Sequence, residues 1–155
     1  MVLVDILRRP LGTYVVIAVV LGVVSLALAL AKVTGLALLF DILSAATAFA
    51  AGFAARARAG HPAWSGAAAG TAYGVVTGIR AFVQKATESQ LKAALQRAHA
   101  QSPLSTSQLL ATVNSPAAHV GSLVVSAVIF GLVGLVLGAI AGAIAGGREE
   151  QRHAV

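Results

Sequence analysis

One acid in this 155-residue chain stands inside a long apolar stretch: Asp41, in the run LFDILS. A carboxylate so placed is costly in hydrocarbon, and can bind a cation, carry a proton or anchor an ion pair. The other acids are scattered. Asp5 sits beside Arg8 and Arg9, Glu88 lies in a polar segment, and Glu149 and Glu150 are in the tail. No two carboxylates are placed for acid–base work inside an apolar region. His61, His99, His119 and His153 are dispersed, without the close spacing of metal ligands, and there is no cysteine. No Gly-x-Ser-x-Gly elbow or nucleotide-binding loop occurs. The expectation is a non-enzyme with no catalytic residues, no metal and no cofactor.

Two glycine rows supply the second signal: Gly66, Gly70, Gly74, Gly78, and Gly134, Gly138, Gly142, Gly146. Repetition at every fourth residue puts each row on one helix face. Such a helix is poor in water, since each interior glycine costs about 1 kcal/mol relative to alanine. In lipid the backbone stays hydrogen-bonded and small residues let helices approach closely. These eight glycines are expected to be helix-packing positions, most economically the third span against the fourth. The alternative is that one row faces another copy or a partner subunit.

Composition sets the medium. The chain is 58% hydrophobic and 10% charged, against about 25% charged in ordinary soluble domains. Its mean hydropathy is +0.88. The net charge of +6 comes from basic residues beside apolar segments, without interleaved aromatics. That pattern suits anionic lipid headgroups and argues against nucleic acid.

The fold class expected is an all-α integral membrane protein of one domain. It is a four-transmembrane-helix bundle with glycine-ladder (GxxxG) packing and an amphipathic helical excursion between helices 3 and 4. The spans fall at about 11–31, 34–55, 62–83 and 117–146, with the excursion at 84–115. Each span approaches the roughly 20 residues a helix needs to cross the hydrocarbon core. A short interfacial helix is expected over residues 1–10. Within the excursion, helices are expected over 84–100 and 105–113, the second capped by Ser105 with Gln108. The tail GREEQRHAV reads as a charged stop. A cleaved signal peptide is the rival reading of the first span, but its apolar core exceeds the usual 7–15 or so residues.

Tyr14, Trp64, Arg56 and Arg58 fall near one interface and are expected to be anchors there. Both termini then lie on one side. Arg8, Arg9, Arg56, Arg58, Arg148 and Arg152 face Lys32, Arg80, Lys85, Lys92 and Arg97 across the membrane. The bias favours cytoplasmic termini in a multi-pass cell-membrane protein.

Heights suggest a partner for Asp41. It lies roughly 21 Å from the inner end of its span, and Arg80 lies roughly 25 Å up the antiparallel third span, at 1.5 Å per residue. An intramembrane Asp41–Arg80 ion pair is therefore expected, with Lys32 as the alternative partner. Partners implied overall are the lipid bilayer and either a homo-oligomer or a larger membrane complex.

Three function classes follow. The first is a scaffold, assembly factor or accessory subunit that works through close helix packing. The second is an oligomeric channel, holin-like pore or small transporter with Asp41 near the pathway. The third is lipid sensing through the basic turn and the amphipathic helix. In outline, four spans and glycine rows resemble the mitochondrial inner-membrane translocase channel family, but that family's spaced Arg and Asp signature does not occur here. Small multidrug exporters keep a Glu in the first span, which here has no charge. Rotary-ring subunits use a closer Gly-x-Gly repeat and a mid-helix carboxylate, and neither occurs.

Overall fold

The computed structural model describes residues 10–31, 33, 35–58, 60–99 and 103–153; the expected interfacial helix, over residues 1–9 of its 1–10 range, and the candidate partner Lys32 lie outside them. The described residues form helices and no strands. They are α1 (Pro10–Leu30), α2 (Ala37–Arg56), α3 (Pro62–Gly78), α4 (Glu88–Arg97), α5 (Thr106–Val113) and α6 (Pro116–His153), with one helical turn, Arg80–Val83, after α3. Three segments are long and apolar enough to cross a membrane: Leu11–Leu30, Leu38–Arg56 and Pro116–Gly147.

The helix ends follow local chemistry, and several differ from expectation. Pro62 opens α3, where the first turn has no use for its missing N–H. The continuous helix expected over 62–83 is interrupted at Ile79, so α3 has only 17 residues. Thr77 explains part of this, because its hydroxyl bonds back to the carbonyls of Tyr73 and Gly74, at 3.0 and 3.2 Å. Such back-bonding bends helices, and Gly78 beside it offers no resistance. The second span begins at Ala37 rather than 34, which leaves Asp41 only about 6 Å from the helix end.

In the polar excursion, α4 starts at Glu88, not 84. Thr87 caps it in a reciprocal box with Gln90. It ends at Arg97, and His99 takes the left-handed backbone conformation (φ 47°) just beyond. Ser105 and Gln108 form the box that opens α5. The Asn114 side chain holds Ala86 by two bonds, accepting from its N–H at 2.8 Å and donating to its carbonyl at 3.1 Å. The excursion is thereby stapled shut at its base. The apolar segment stops at Gly147, before the charged tail, while α6 stays helical to His153, because nothing in REEQRH breaks a helix.

α3 occupies the middle. It packs on α1, α2 and most extensively on α6, while α2 also touches α1 and α6. α1 and α6 make no comparable contact with each other. The interior is made of small residues, Ala18, Ala48, Ala51 and Ala69, around a fully buried Tyr73. Large aliphatics point outward instead, including Val20 on α1, Leu38 and Ile42 on α2, and Val128, Leu132 and Val136 on α6. Small inside and large outside is the arrangement that suits helices packed in lipid.

Candidate functional site

Two constructions carry the residues singled out by the sequence. The first is the seam between α3 and α6, which run antiparallel. A Cβ built on Gly66 would fall on the carbonyl oxygen of Gly134, and one on Gly70 would fall on that of Phe130. One on Gly74 would meet Ser126 and Ala127, and one on Gly78 would sit 2.8 Å from the Cα of Leu123. Gly134 and Gly138 meet Gly66, Gly70 and the carbonyl of Pro62 in return. The second row also serves other neighbours. Gly138 lies against Gly52 of α2, Gly142 receives the ring of Pro62, and Gly146 lies under the Arg56 guanidinium. Both rows are thus in contact within one chain.

The anchors separate. Trp64 is 68% exposed at the start of α3, and Arg56 and Arg58 are exposed at the end of α2. Tyr14 is instead half-buried against the alanine core. Its ring fills space beside small residues that an outward anchor would leave empty.

The second construction is a cleft of about 240 Å³ near the opposite end of the bundle, bordered by α1, α2, α3 and α6. Its polar lining is Ser25, Asp41, Thr77, Arg80 and Ser126, and Phe130 supplies an apolar wall. Tyr73 is buried beside two of the lining residues, Asp41 and Phe130. The ring stacks edge-on against Phe130, with centroids 5.0 Å apart and planes at 74°. A buried phenol needs an acceptor, and the Tyr73 hydroxyl donates to Asp41 Oδ1 at 2.9 Å. The Ser25 hydroxyl lies next to that of Tyr73. Thr77 and Ser126 hydroxyls face each other at 3.4 Å, joining α3 to α6.

The expected Asp41–Arg80 ion pair is not formed. Among the described residues the only ion pair is Lys92–Glu88 at 2.7 Å, on the exposed face of α4. The height argument brought Asp41 and Arg80 to one cleft, but height says nothing about angular position around the helix. Arg80 turns toward its own next turn, where its Nε donates to Gln84 Oε1 at 2.6 Å. Gln84 in turn donates to the carbonyl of Ala29 at the end of α1, at 2.7 Å. Tyr73, Ser25, Thr77 and Ser126 were invisible as site residues in the sequence. A single tyrosine amid the alanines and glycines of α3, too bulky for that helix unless it had a purpose, was the available clue.

Among the described residues no three His, Asp or Glu side chains gather as a metal site. Comparison with family models, curated proteins and solved structures finds no match.

Proposed function

We propose that this chain is a four-span membrane protein of non-enzymatic function, a scaffold, assembly factor or accessory subunit of a larger membrane complex. In this reading α3 and the turn Arg80–Val83 together make the remaining span, roughly 33 Å over residues 62–83. Both termini face the cytoplasm, and the α4–α5 excursion stands on the other side.

The observation that carries the reading is the closed interior. Ala18, Ala48, Ala51, Ala69, Tyr73 and Ala141 are each at most 2% exposed, and the central helix meets α6 backbone to backbone. The outward faces of α1 and α6, and the first two turns of α2, are rich in exposed aliphatics, suited to lipid or to the spans of a partner.

Native mass spectrometry of the tagged protein, gently extracted from its own membrane, tests this. A foreign subunit at fixed stoichiometry is the expected result. A homo-oligomer that passes ions in liposomes would overturn it in favour of a pore. The Asp41 cleft favours that second reading, a small transporter, because it is the place where an intramembrane charge meets open space. Transport requires that Asp41→Asn abolish flux while leaving the fold intact.

A further inference from the structure

Asp41 and Arg80 carry opposite charges, line the same cleft, and yet leave each other unpaired. No Asp41 oxygen comes within 4.0 Å of an Arg80 nitrogen. Each is held in place by its own neighbour: Asp41 Oδ1 by the Tyr73 hydroxyl, and Arg80 Nε by Gln84, itself tied to Ala29. Among the described residues, Asp41 Oδ2 and the two Arg80 Nη groups have no hydrogen-bond partner. The cleft therefore presents a negatively charged acceptor and a positively charged pair of donors, each with unused hydrogen-bonding capacity. The hydroxyls of Ser25 and Ser126 line the same cleft.

We propose that this cleft binds a zwitterion bearing a protonated amine and an anionic phosphate or carboxylate. The amine donates to Asp41 Oδ2 and the serine hydroxyls, and the anion accepts from the Arg80 Nη groups. Arg forks match the geometry of phosphate and carboxylate oxygens, and bonds between ionised partners are the strong ones. A simple cation would meet the repulsion of Arg80, and a simple anion that of Asp41. A zwitterion satisfies both, and so offsets the cost of leaving two charges near hydrocarbon. Position fits as well. Asp41 lies about 6 Å inside its helix end, and headgroups fill roughly the outer 5–7 Å on either side of a hydrocarbon core. Leu26 and Phe130 give the cleft apolar walls beside its charges. The inference goes beyond the scaffold reading and does not depend on it.

The test uses the full-length protein in detergent, incubated with phosphatidylethanolamine, phosphatidylglycerol or phosphatidylcholine and read by native mass spectrometry. Phosphatidylglycerol lacks the amine, and phosphatidylcholine lacks its N–H donors. Retention of phosphatidylethanolamine about tenfold above both is expected, the worth of one charge-assisted bond. Asp41→Asn and Arg80→Gln should each lower it to the level of the other two lipids. Arg80 is exposed and outside the Tyr73 bond, so Arg80→Gln decides the matter even if Asp41→Asn folds poorly. Soluble glycerophosphoethanolamine that displaces the lipid would identify the headgroup alone as ligand; failure to displace it would identify the whole lipid. Equal retention of all three lipids by the wild type, or a preference that survives both substitutions, would overturn the proposal.

Discussion

The seam between α3 and α6 and the seam between α3 and α1 both use glycine, to different ends. At the first, backbone meets backbone: Gly66 and Gly70 lie directly on the carbonyls of Gly134 and Phe130. At the second, Gly22 of α1 makes room for a side chain, Val76, whose Cβ would stand 2.8 Å from an added methyl. α6 is also held by α2, through Gly52 against Gly138, whereas α1 has no comparable contact with α6 and is free on its outer side. One seam is boxed in. The other can open by a small outward movement of one helix. Glycine marks a close approach in both, but what a methyl group would cost depends on whether the partner can retreat.

Substitutions can separate the two. Gly70→Leu should have the largest effect, about 3 kcal/mol or more, the upper range of overpacking. Thermal melting in detergent with size-exclusion chromatography should show loss of the monodisperse species. Tyr73→Phe removes the bond to Asp41 and should cost about 1.5–3 kcal/mol, as expected for a hydrogen bond to a charged group. Gly22→Ala should cost only about 1 kcal/mol, because α1 can shift. If Gly22→Ala proved as damaging as Gly70→Ala, the distinction between the seams would be lost.

Gly121→Ala on α6 provides the opposite sign. Nothing lies within 4 Å of its added methyl, so the melting temperature should rise, by the worth of about 0.5–1 kcal/mol. The smallest effect belongs to α4, which is part of no membrane-crossing segment. Lys92 holds the Glu88 carboxyl below its ordinary value of 4.5, by hydrogen bond first and charge second. That stabilisation is full above pH 4.5 and fades as pH falls through the lowered folded-state value. Circular dichroism of the full chain should show a slight loss of helix across that acid range, absent in Glu88→Gln.

What could be read in the sequence was governed by one-dimensional quantities. The length of the apolar runs and the absence of strand signals give an all-helical chain with membrane-crossing segments. Pro62, Ser105 with Gln108, and Ser115 with Pro116 mark helix starts where the structure has them, with the Ser115 hydroxyl accepting from Ala118 N–H at 3.2 Å. Rotation about the helix axis is not one-dimensional. Asp41 and Arg80 could be set at one height, yet the donor that reaches Asp41 is Tyr73, about two turns before Arg80 in the chain. The break at Ile79 escaped for a related reason: Thr77 reads as an ordinary polar residue until its hydroxyl is seen on two backbone carbonyls.

The order of the helices in the chain has a consequence for biosynthesis. α3 is the centre of the bundle, but its principal partner, α6, is made well after it. At roughly 5–20 residues per second, the roughly 70 residues between Gly78 and Gly147 keep the ribosome occupied for several seconds. Throughout that time the glycine face of α3 has nothing to rest against, and among the four helices of the bundle α3 is the shortest and has the highest proportion of glycine. The nascent chain must therefore be held in the membrane by α1 and α2 until α6 arrives.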